Sequence, residues 1–179
     1  RVYLPGAYVE FLRISGGDLA DPVADAAEFD GPIAALISRL EDKLASHNRS
    51  RIEPAAPDLE RRTWLYPPTA LQQIVRNAIL HRTYEASNAP VRVTWYDDRI
   101  EVISPGGPYG SVTASNFGKP GITDYRNPNL AEAMRTLGYV QRFGMGIPLA
   151  QRALAENGSP ELEFAVEPEV VAVTLRPAW

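Results

Sequence analysis

Three polar side chains recur at four-residue intervals in the segment LQQIVRNAILHRTY, which runs from Leu71 to Tyr84. Residues spaced by four lie on one face of an α-helix, so Gln73, Asn77 and His81 form a polar stripe. The amide oxygen of Asn77 is the kind of ligand that binds a hard cation such as magnesium. Gln73 has no base to offer, because an amide does not take up a proton at neutral pH. The helix can therefore position and coordinate a ligand, and the alternative interpretation is a solvated polar face.

Two glycine-rich segments follow downstream. SPGGPYG runs from Ser104 to Gly110 after an apolar strand pattern, and GMG, Gly144 to Gly146, precedes a helical pattern. Glycines after a strand allow the backbone to approach a ligand closely, and backbone N–H groups at a helix N-terminus suit a phosphate. Ordinary turns use the same residues. The third glycine of a dinucleotide fingerprint and the Gly-Lys-Ser/Thr of a Walker loop are both missing.

The composition excludes several classes of protein. The chain has 179 residues and no cysteine, which rules out thiolate metal sites and cysteine nucleophiles, and two histidines are too few for a histidine-rich metal site. Lysine and arginine number 18 against 22 acidic residues, a net charge of −4, which argues against a strongly basic nucleic-acid binder. The longest apolar runs are too short to span a bilayer, so we expect no membrane contact and a cytoplasmic location.

Local patterns predict the elements of the first third of the chain. Apolar residues at partly alternating positions indicate a strand over residues 7–14. Asp30 is a candidate N-cap for a helix with Pro32 in its first turn, and apolar residues at helical spacing give this helix a core face. Residues 48–66 are charged and contain proline, so we interpret them as a linker or an irregular strand.

From residue 67 onward, the local patterns predict the order helix, strand, strand, long loop, helix, helix, strand, strand. Pro67 and Pro68 open the helix that carries Asn77, and residues 91–104 form a hairpin pattern. A loop follows over residues 108–127, and Asn127 is a candidate cap for the next helix. Helices grouped on one face of a mostly antiparallel sheet predict an α+β fold, a two-layer sandwich.

This order of elements resembles the Bergerat, or GHKL, ATP-binding fold, with its N box, G1 box, ATP lid and G2 box. The resemblance is closer to the C-terminal domain of transcriptional regulators of the RecG-like or Schlafen/AlbA type, and it covers residues from about 60 to 177. YPPTALQQIVRNAILHRTY, DDRIEVISPGG, RNPNLAEAMRTLGYVQRFGMGI and VTLRP carry it. It implies that residues 61–179 are a GHKL-like ATP-binding domain. Residues 1–60 are then the segment that connects it to an N-terminal AlbA-like DNA-binding module.

The resemblance also assigns roles to single residues. Asn77 matches the asparagine that binds magnesium in active relatives. Gln73 stands where those relatives have the catalytic glutamate, and Ser104 lies near the position of the aspartate that recognises adenine. The other matching positions of the predicted site are His81, Gly106, Gly107, Gly144 and Gly146. Without a glutamate at position 73, hydrolysis loses a base worth roughly 100- to 10,000-fold in rate.

The resemblance implies a regulatory domain that binds ATP and magnesium, with little or no hydrolysis, in a DNA-binding transcriptional regulator. The expected partners are the nucleotide, DNA through the preceding module, and a second copy in a homodimer. Three alternatives stay open. They are a degenerate GHKL fold that serves dimerisation or domain packing, a true ATPase, and a helix-turn-helix DNA reader. The last is weak because its second helix carries only Arg152 as a cation.

Overall fold

A six-stranded sheet organises the chain. The computed structural model describes residues 3–56, 59–140 and 144–179. The strands are β1 (Val9–Ile14), β2 (Val23–Phe29), β3 (Ser50–Ala56), β4 (Leu59–Trp64), β5 (Val91–Trp95), β6 (Ile100–Pro105), β7 (Glu163–Val166) and β8 (Val170–Leu175). The helices are α1 (Ile33–His47), α2 (Pro68–His81), α3 (Pro128–Thr136) and α4 (Gly146–Asn157).

The sheet has the strand order β2-β1-β5-β6-β8-β7. Only β1 and β5 pair in parallel among these neighbours, and the other neighbouring pairs are antiparallel. Helix α2 packs against β5 and β6, while α1 and α4 pack against α2. Buried apolar residues of the sheet and of all four helices join in one core. The predicted α+β sandwich with a mostly antiparallel sheet is therefore confirmed.

The first third of the chain departs most from the sequence prediction. The strand expected over residues 7–14 is present as β1, but β2 was not predicted. Its sequence VADAAEF has weak strand propensity, and antiparallel pairing with β1 supplies the hydrogen bonds that hold it at the sheet edge. The segment interpreted as a linker or an irregular strand is strand, and it forms an antiparallel ribbon of β3 and β4 with an irregular register between Pro54 and Ala56.

Proline marks the start of α1, α2 and α3, and glycine follows the end of α3 and α4. Pro67 is the N-cap of α2 and Pro68 its first residue, as predicted. Asp30 does not cap α1, because Pro32 occupies the N-cap position and no side chain caps the helix. Gly138 follows α3, and Gly158 follows α4, with φ of 76° and 75°. This left-handed conformation suits glycine and ends each helix.

The segment before residue 60 shares the sheet with the segment after it, because β1 pairs with β5 over five residues. Val9 and Phe11 of β1 are buried in the same core as α2. The division of the chain into a connecting segment, residues 1–60, and an ATP-binding domain, residues 61–179, stays a prediction about its architecture.

Candidate functional site

A cavity lies between α2, the end of β6, the N-terminus of α4 and the loop over residues 108–127. It has a volume of about 100 Å³. Its lining includes all eight residues of the predicted site, which are Gln73, Asn77, His81, Ser104, Gly106, Gly107, Gly144 and Gly146. The fold thus brings together residues that are up to 73 positions apart in the sequence, from Gln73 to Gly146. Their roles in binding stay predictions.

The polar stripe of α2 forms one wall of this cavity. The other side of the helix is buried in the core by Leu71, Ile74 and Val75, so the stripe cannot turn away from the cavity. Gln73 itself is only 9% exposed. Among the described residues, neither the Gln73 amide nor the Asn77 amide has a hydrogen-bond partner. Two amide groups are therefore available to a ligand at this wall.

His81 closes the end of the stripe. Its ring stacks on the ring of Tyr125, with centroids 5.7 Å apart and an interplanar angle of 13°. Burial lowers the pKa of His81 to about 4, and the positive charge of Arg126 acts in the same direction. The imidazole is therefore neutral at pH 7 and is a weak base, which offers a ligand one donor and one acceptor.

Ser104, which the resemblance implies is near the position of the adenine-recognising aspartate, lies on β6. Its side chain is 6% exposed, and its hydroxyl donates a hydrogen bond of 2.9 Å to the carbonyl oxygen of Ala78. The hydroxyl proton is thus occupied by α2, and only the oxygen lone pairs remain for a ligand. A neutral acceptor gives a weaker hydrogen bond to an exocyclic amino group than a carboxylate does.

Gly106 and Gly107 are required by the packing of the chain itself. A Cβ atom at Gly106, whose φ is 99°, would lie 2.9 Å from the backbone nitrogen of Thr83. A Cβ atom at Gly107 would collide with the backbone carbonyl groups of Glu167 and Pro168 in the turn between β7 and β8. Both glycines line the cavity, but close approach of a ligand is not needed to explain them.

The N-terminus of α4 faces the cavity through Gly144, Met145, Gly146 and Ile147. Met145 is the N-cap, and no side chain caps the helix. The amides of Gly146 and Ile147 belong to the first turn and have no carbonyl partner within the helix, whereas Pro148 has no N–H. Two amide donors and the positive end of the helix dipole therefore meet here. Arg142 and Phe143, which the sequence places in the same turn, lie outside the described residues.

The loop over residues 108–127 covers the cavity through contacts that the sequence did not reveal. Phe117 packs edge-on against Phe164 of β7, with centroids 5.4 Å apart, and Tyr125 stacks on His81. Arg126 donates a hydrogen bond of 3.1 Å to the carbonyl oxygen of Gly107. These side chains come from a segment without periodicity, so its unusual length was the single available signal.

Asp124 is the one carboxylate of the described cavity lining. One of its oxygens accepts a hydrogen bond of 3.0 Å from the Ser111 amide, and the other accepts one of 2.9 Å from the Tyr125 amide. Both oxygens hold the covering loop in its fold. The carboxylate is thus a structural group of the loop in this conformation.

Comparison with known proteins identifies the surrounding fold. Residues 88–175 match the family model described as "Putative ATP-dependent DNA helicase recG C-terminal". The match confirms the resemblance to the GHKL-like ATPase domain of RecG-like proteins, and it spans Ser104 and the four site glycines. Helix α2, with Gln73, Asn77 and His81, precedes the matched segment.

Solved structures support the fold of the wider chain. The DIP2311 protein from Corynebacterium diphtheriae superposes with a TM-score of 0.80 at 22% identity, over 97% of this chain. This chain spans 35% of the length of that protein. No curated protein is significantly similar in sequence. In the part of the chain that the structure describes, no helix is long and apolar enough to cross a membrane.

The oxygen atoms that line the cavity fit a magnesium ion only if phosphates and water supply most of its ligands. In the described part of the chain, no group of three or more histidine and acidic side chains is arranged to hold a metal. Magnesium in nucleotide sites is commonly held by few protein oxygens together with phosphates and water. The Asn77 amide, which has no protein partner in the described structure, fits the role of one such oxygen.

Proposed function

We propose that this RecG-type domain binds ATP together with magnesium, serves as a regulatory module, and hydrolyses the nucleotide slowly or not at all. One observation supports the proposal most strongly. The side-chain amides of Gln73 and Asn77, which have no hydrogen-bond partner among the described residues, line the same cavity as the uncapped N-terminus of α4. Amide oxygens suit the cation, and helix N-terminal N–H groups suit phosphate oxygens.

In this proposal the phosphates lie at the N-terminus of α4. The amides of Gly146 and Ile147 would donate to phosphate oxygens, while Asn77 would supply one ligand to the magnesium ion that the phosphates bridge. The bound magnesium would neutralise part of the phosphate charge. Base recognition would fall to the Ser104 side of the cavity, where a neutral hydroxyl oxygen favours loose selection of adenine.

The same residues argue for binding without efficient hydrolysis. Gln73 occupies the place of the general base and cannot accept a proton from water. Asp124 accepts hydrogen bonds from two backbone amides in the covering loop, and neutral His81 is a weak base. Loss of a positioned base costs roughly 100- to 10,000-fold in rate.

Regulation would follow from the covering loop. The cavity volume of about 100 Å³ is below the roughly 300–1,000 Å³ of typical ligand pockets. A nucleotide therefore requires residues 108–127 to move outward, which would make the loop position a readout of nucleotide binding. The proposal includes DNA contact through a preceding AlbA-like module, a homodimer and a cytoplasmic location.

A degenerate fold that serves domain packing or dimerisation is the second candidate. The small cavity favours it, as does the explanation of Gly106 and Gly107 by chain packing. A helix-turn-helix role has less support, because α4 packs against α2 and its one cation, Arg152, pairs with Glu156 at 2.7 Å.

Titration calorimetry with magnesium-ATP separates the two candidates. The wild-type chain is expected to bind, and Asn77→Ala is expected to bind at least about tenfold more weakly in magnesium, since a bond to a charged group is removed. Asn88→Ala, an exposed asparagine outside the cavity, is the matched control and should bind like the wild type. No heat at millimolar nucleotide, with unchanged proteolysis of the loop over residues 108–127, would reject the proposal in favour of the degenerate fold.

A further inference from the structure

A second and larger cavity, of about 470 Å³, lies beyond the C-terminal end of α2. It is enclosed by the N-terminal segment, the start of α1, the segment after α2 and the start of α3. Its walls are partly apolar, through Leu4, Ile33, Leu36 and Leu130. Its volume lies within the roughly 300–1,000 Å³ of typical small-molecule sites.

A buried cation lines this cavity without an anionic partner. Arg82 is 1% exposed, and its guanidinium donates to the carbonyl oxygens of Gly6, Thr83 and Ser87. Its carbon lies 4.6 Å from the ring centre of Tyr84. In the part of the chain that the structure describes, no carboxylate forms an ion pair with it. A buried charge that is not neutralised is costly, and burial lowers the pKa of Arg82.

The N-terminus of α3 adds positive potential to the same cavity. Asn127 is the N-cap, but its side chain does not cap the helix. Its amide instead donates hydrogen bonds of 2.7 Å and 2.8 Å to the carbonyl oxygens of Leu80 and Arg82. The amides of Asn129 and Leu130 in the first turn are thus left without a capping side chain. Both residues line the cavity.

Arg126 is the second cation of the lining. Its Nε atom is buried and has no hydrogen-bond partner among the described residues, although one terminal nitrogen bonds to Gly107. Glu85 is the one acidic residue of the described lining, and it is exposed to solvent. The Arg126 guanidinium carbon also lies 4.9 Å from the ring centre of Tyr109. Two arginine residues and two helix N-terminal amides therefore line a cavity whose one described acidic residue is exposed.

We infer that this cavity binds a small amphipathic molecule whose carboxylate or phosphate group contacts Arg82, Arg126 and the α3 N-terminus, and whose apolar body contacts the leucine and isoleucine walls. Charge-assisted hydrogen bonds to guanidinium groups and helix N-termini recognise oxyanions of either kind. The inference does not rest on nucleotide binding, because the two cavities share no lining residue. A ligand here would also touch α3 next to Asn127, which holds the last carbonyls of α2.

Backbone NMR titrations with hexanoate, hexyl phosphate and hexanol test the inference and separate the two sources of anion. We expect hexanoate, hexyl phosphate or both to bind at millimolar concentration and to shift the amides of Asn129 and Leu130, with hexanol producing no such shift. The inference is overturned if neither anion shifts these amides, or if hexanol shifts them equally.

Two variants test the groups that would hold the anion. Asn129→Asp places a carboxylate at the N-terminus of α3, where it stabilises the helix and competes for the site. Arg126→Gln removes one guanidinium. Each is expected to weaken anion binding at least about tenfold, because Asn129→Asp adds a negative charge beside the bound anion and Arg126→Gln removes a charged hydrogen-bond donor. Arg135→Gln is the control, because it removes a positive charge from the other end of α3 and should leave the affinity for the anion unchanged.

Equal affinity for the anion in all three variants would contradict the inference. Magnesium-ATP calorimetry on Asn129→Asp is independent of this result, because Asn129 does not line the first cavity.

Discussion

Replacing His81 by glutamine is expected to remove a loss of stability that the wild-type chain shows in acid. The pKa of this imidazole is lowered from 6.5 to about 4, first by burial and then by the charge of Arg126. Between those two pH values the unfolded chain binds a proton that the folded chain does not. Because stability falls with falling pH wherever the unfolded state binds more protons, acid destabilises the wild type through this group.

The size of the effect follows from the two pKa values. A shift of one pKa unit corresponds to about 1.4 kcal/mol, so His81 should contribute a loss of about 2 kcal/mol between pH 7.5 and pH 5. The loss should reach about 3 kcal/mol at pH 4. Small domains have free energies of unfolding of roughly 5–15 kcal/mol, so a difference of this size is measurable. Glutamine removes the titration and keeps a polar group of similar reach.

Urea unfolding followed by tryptophan fluorescence provides the assay, at several pH values between 7.5 and 4. The difference in unfolding free energy between wild type and His81→Gln isolates the His81 contribution, because other titrating groups affect both proteins. His47→Gln removes the other histidine, which contacts Asp25 at 2.8 Å outside the cavity. It should keep the His81-dependent loss. Parallel stability curves for wild type and His81→Gln would refute the assignment of a buried, neutral imidazole.

Three further substitutions test other parts of the structure. Gln73→Glu introduces a base and should raise the rate of ATP hydrolysis, measured as phosphate release, roughly 100-fold or more. Gln72→Glu, one position away and outside the cavity lining, is the control and should not raise this rate. An unchanged rate in Gln73→Glu would contradict an intact nucleotide pocket. Asn127→Ala removes the two hydrogen bonds to the carbonyl groups of Leu80 and Arg82 and should lower the free energy of unfolding, measured by urea denaturation, by about 2 kcal/mol. A change below experimental error would show that these bonds contribute nothing to stability. Gly107→Ala places a Cβ atom against backbone carbonyl groups and should lower the free energy of unfolding by about 1–3 kcal/mol. Gly17→Ala is the control, because a Cβ atom at Gly17 has no neighbouring atom within contact distance. Equal melting temperatures of the two variants would contradict the packing explanation.

Elements with strong local signals were predicted correctly. Helix α2 has a proline start and a regular apolar stripe, and the β5–β6 hairpin alternates buried residues on either side of a short turn. The glycines that end α3 and α4 act through their own backbone conformation, which does not depend on distant residues. Such features are readable from sequence because they are decided within a few residues.

Features decided by distant partners were missed. Strand β2 depends on pairing with β1, and the stacking of Tyr125 on His81 joins segments 44 residues apart. Asn127 was correctly placed at the start of α3, but the carbonyls of α2 compete successfully for its side chain. The cavity around Arg82 draws its lining from five separate segments, so no local pattern indicates it. The eight residues of the predicted site were assigned to one site from the sequence because the order of elements resembles a known fold.

A crystal structure with a non-hydrolysable ATP analogue and magnesium tests the proposed function most directly. We expect phosphate oxygens within hydrogen-bond distance of the Gly146 and Ile147 amides, and magnesium bound to the Asn77 amide oxygen. Residues 108–127 should be displaced outward from the position in which they confine the cavity to about 100 Å³. An empty cavity at saturating analogue, or an analogue bound elsewhere with no contact to Asn77, would contradict the proposal.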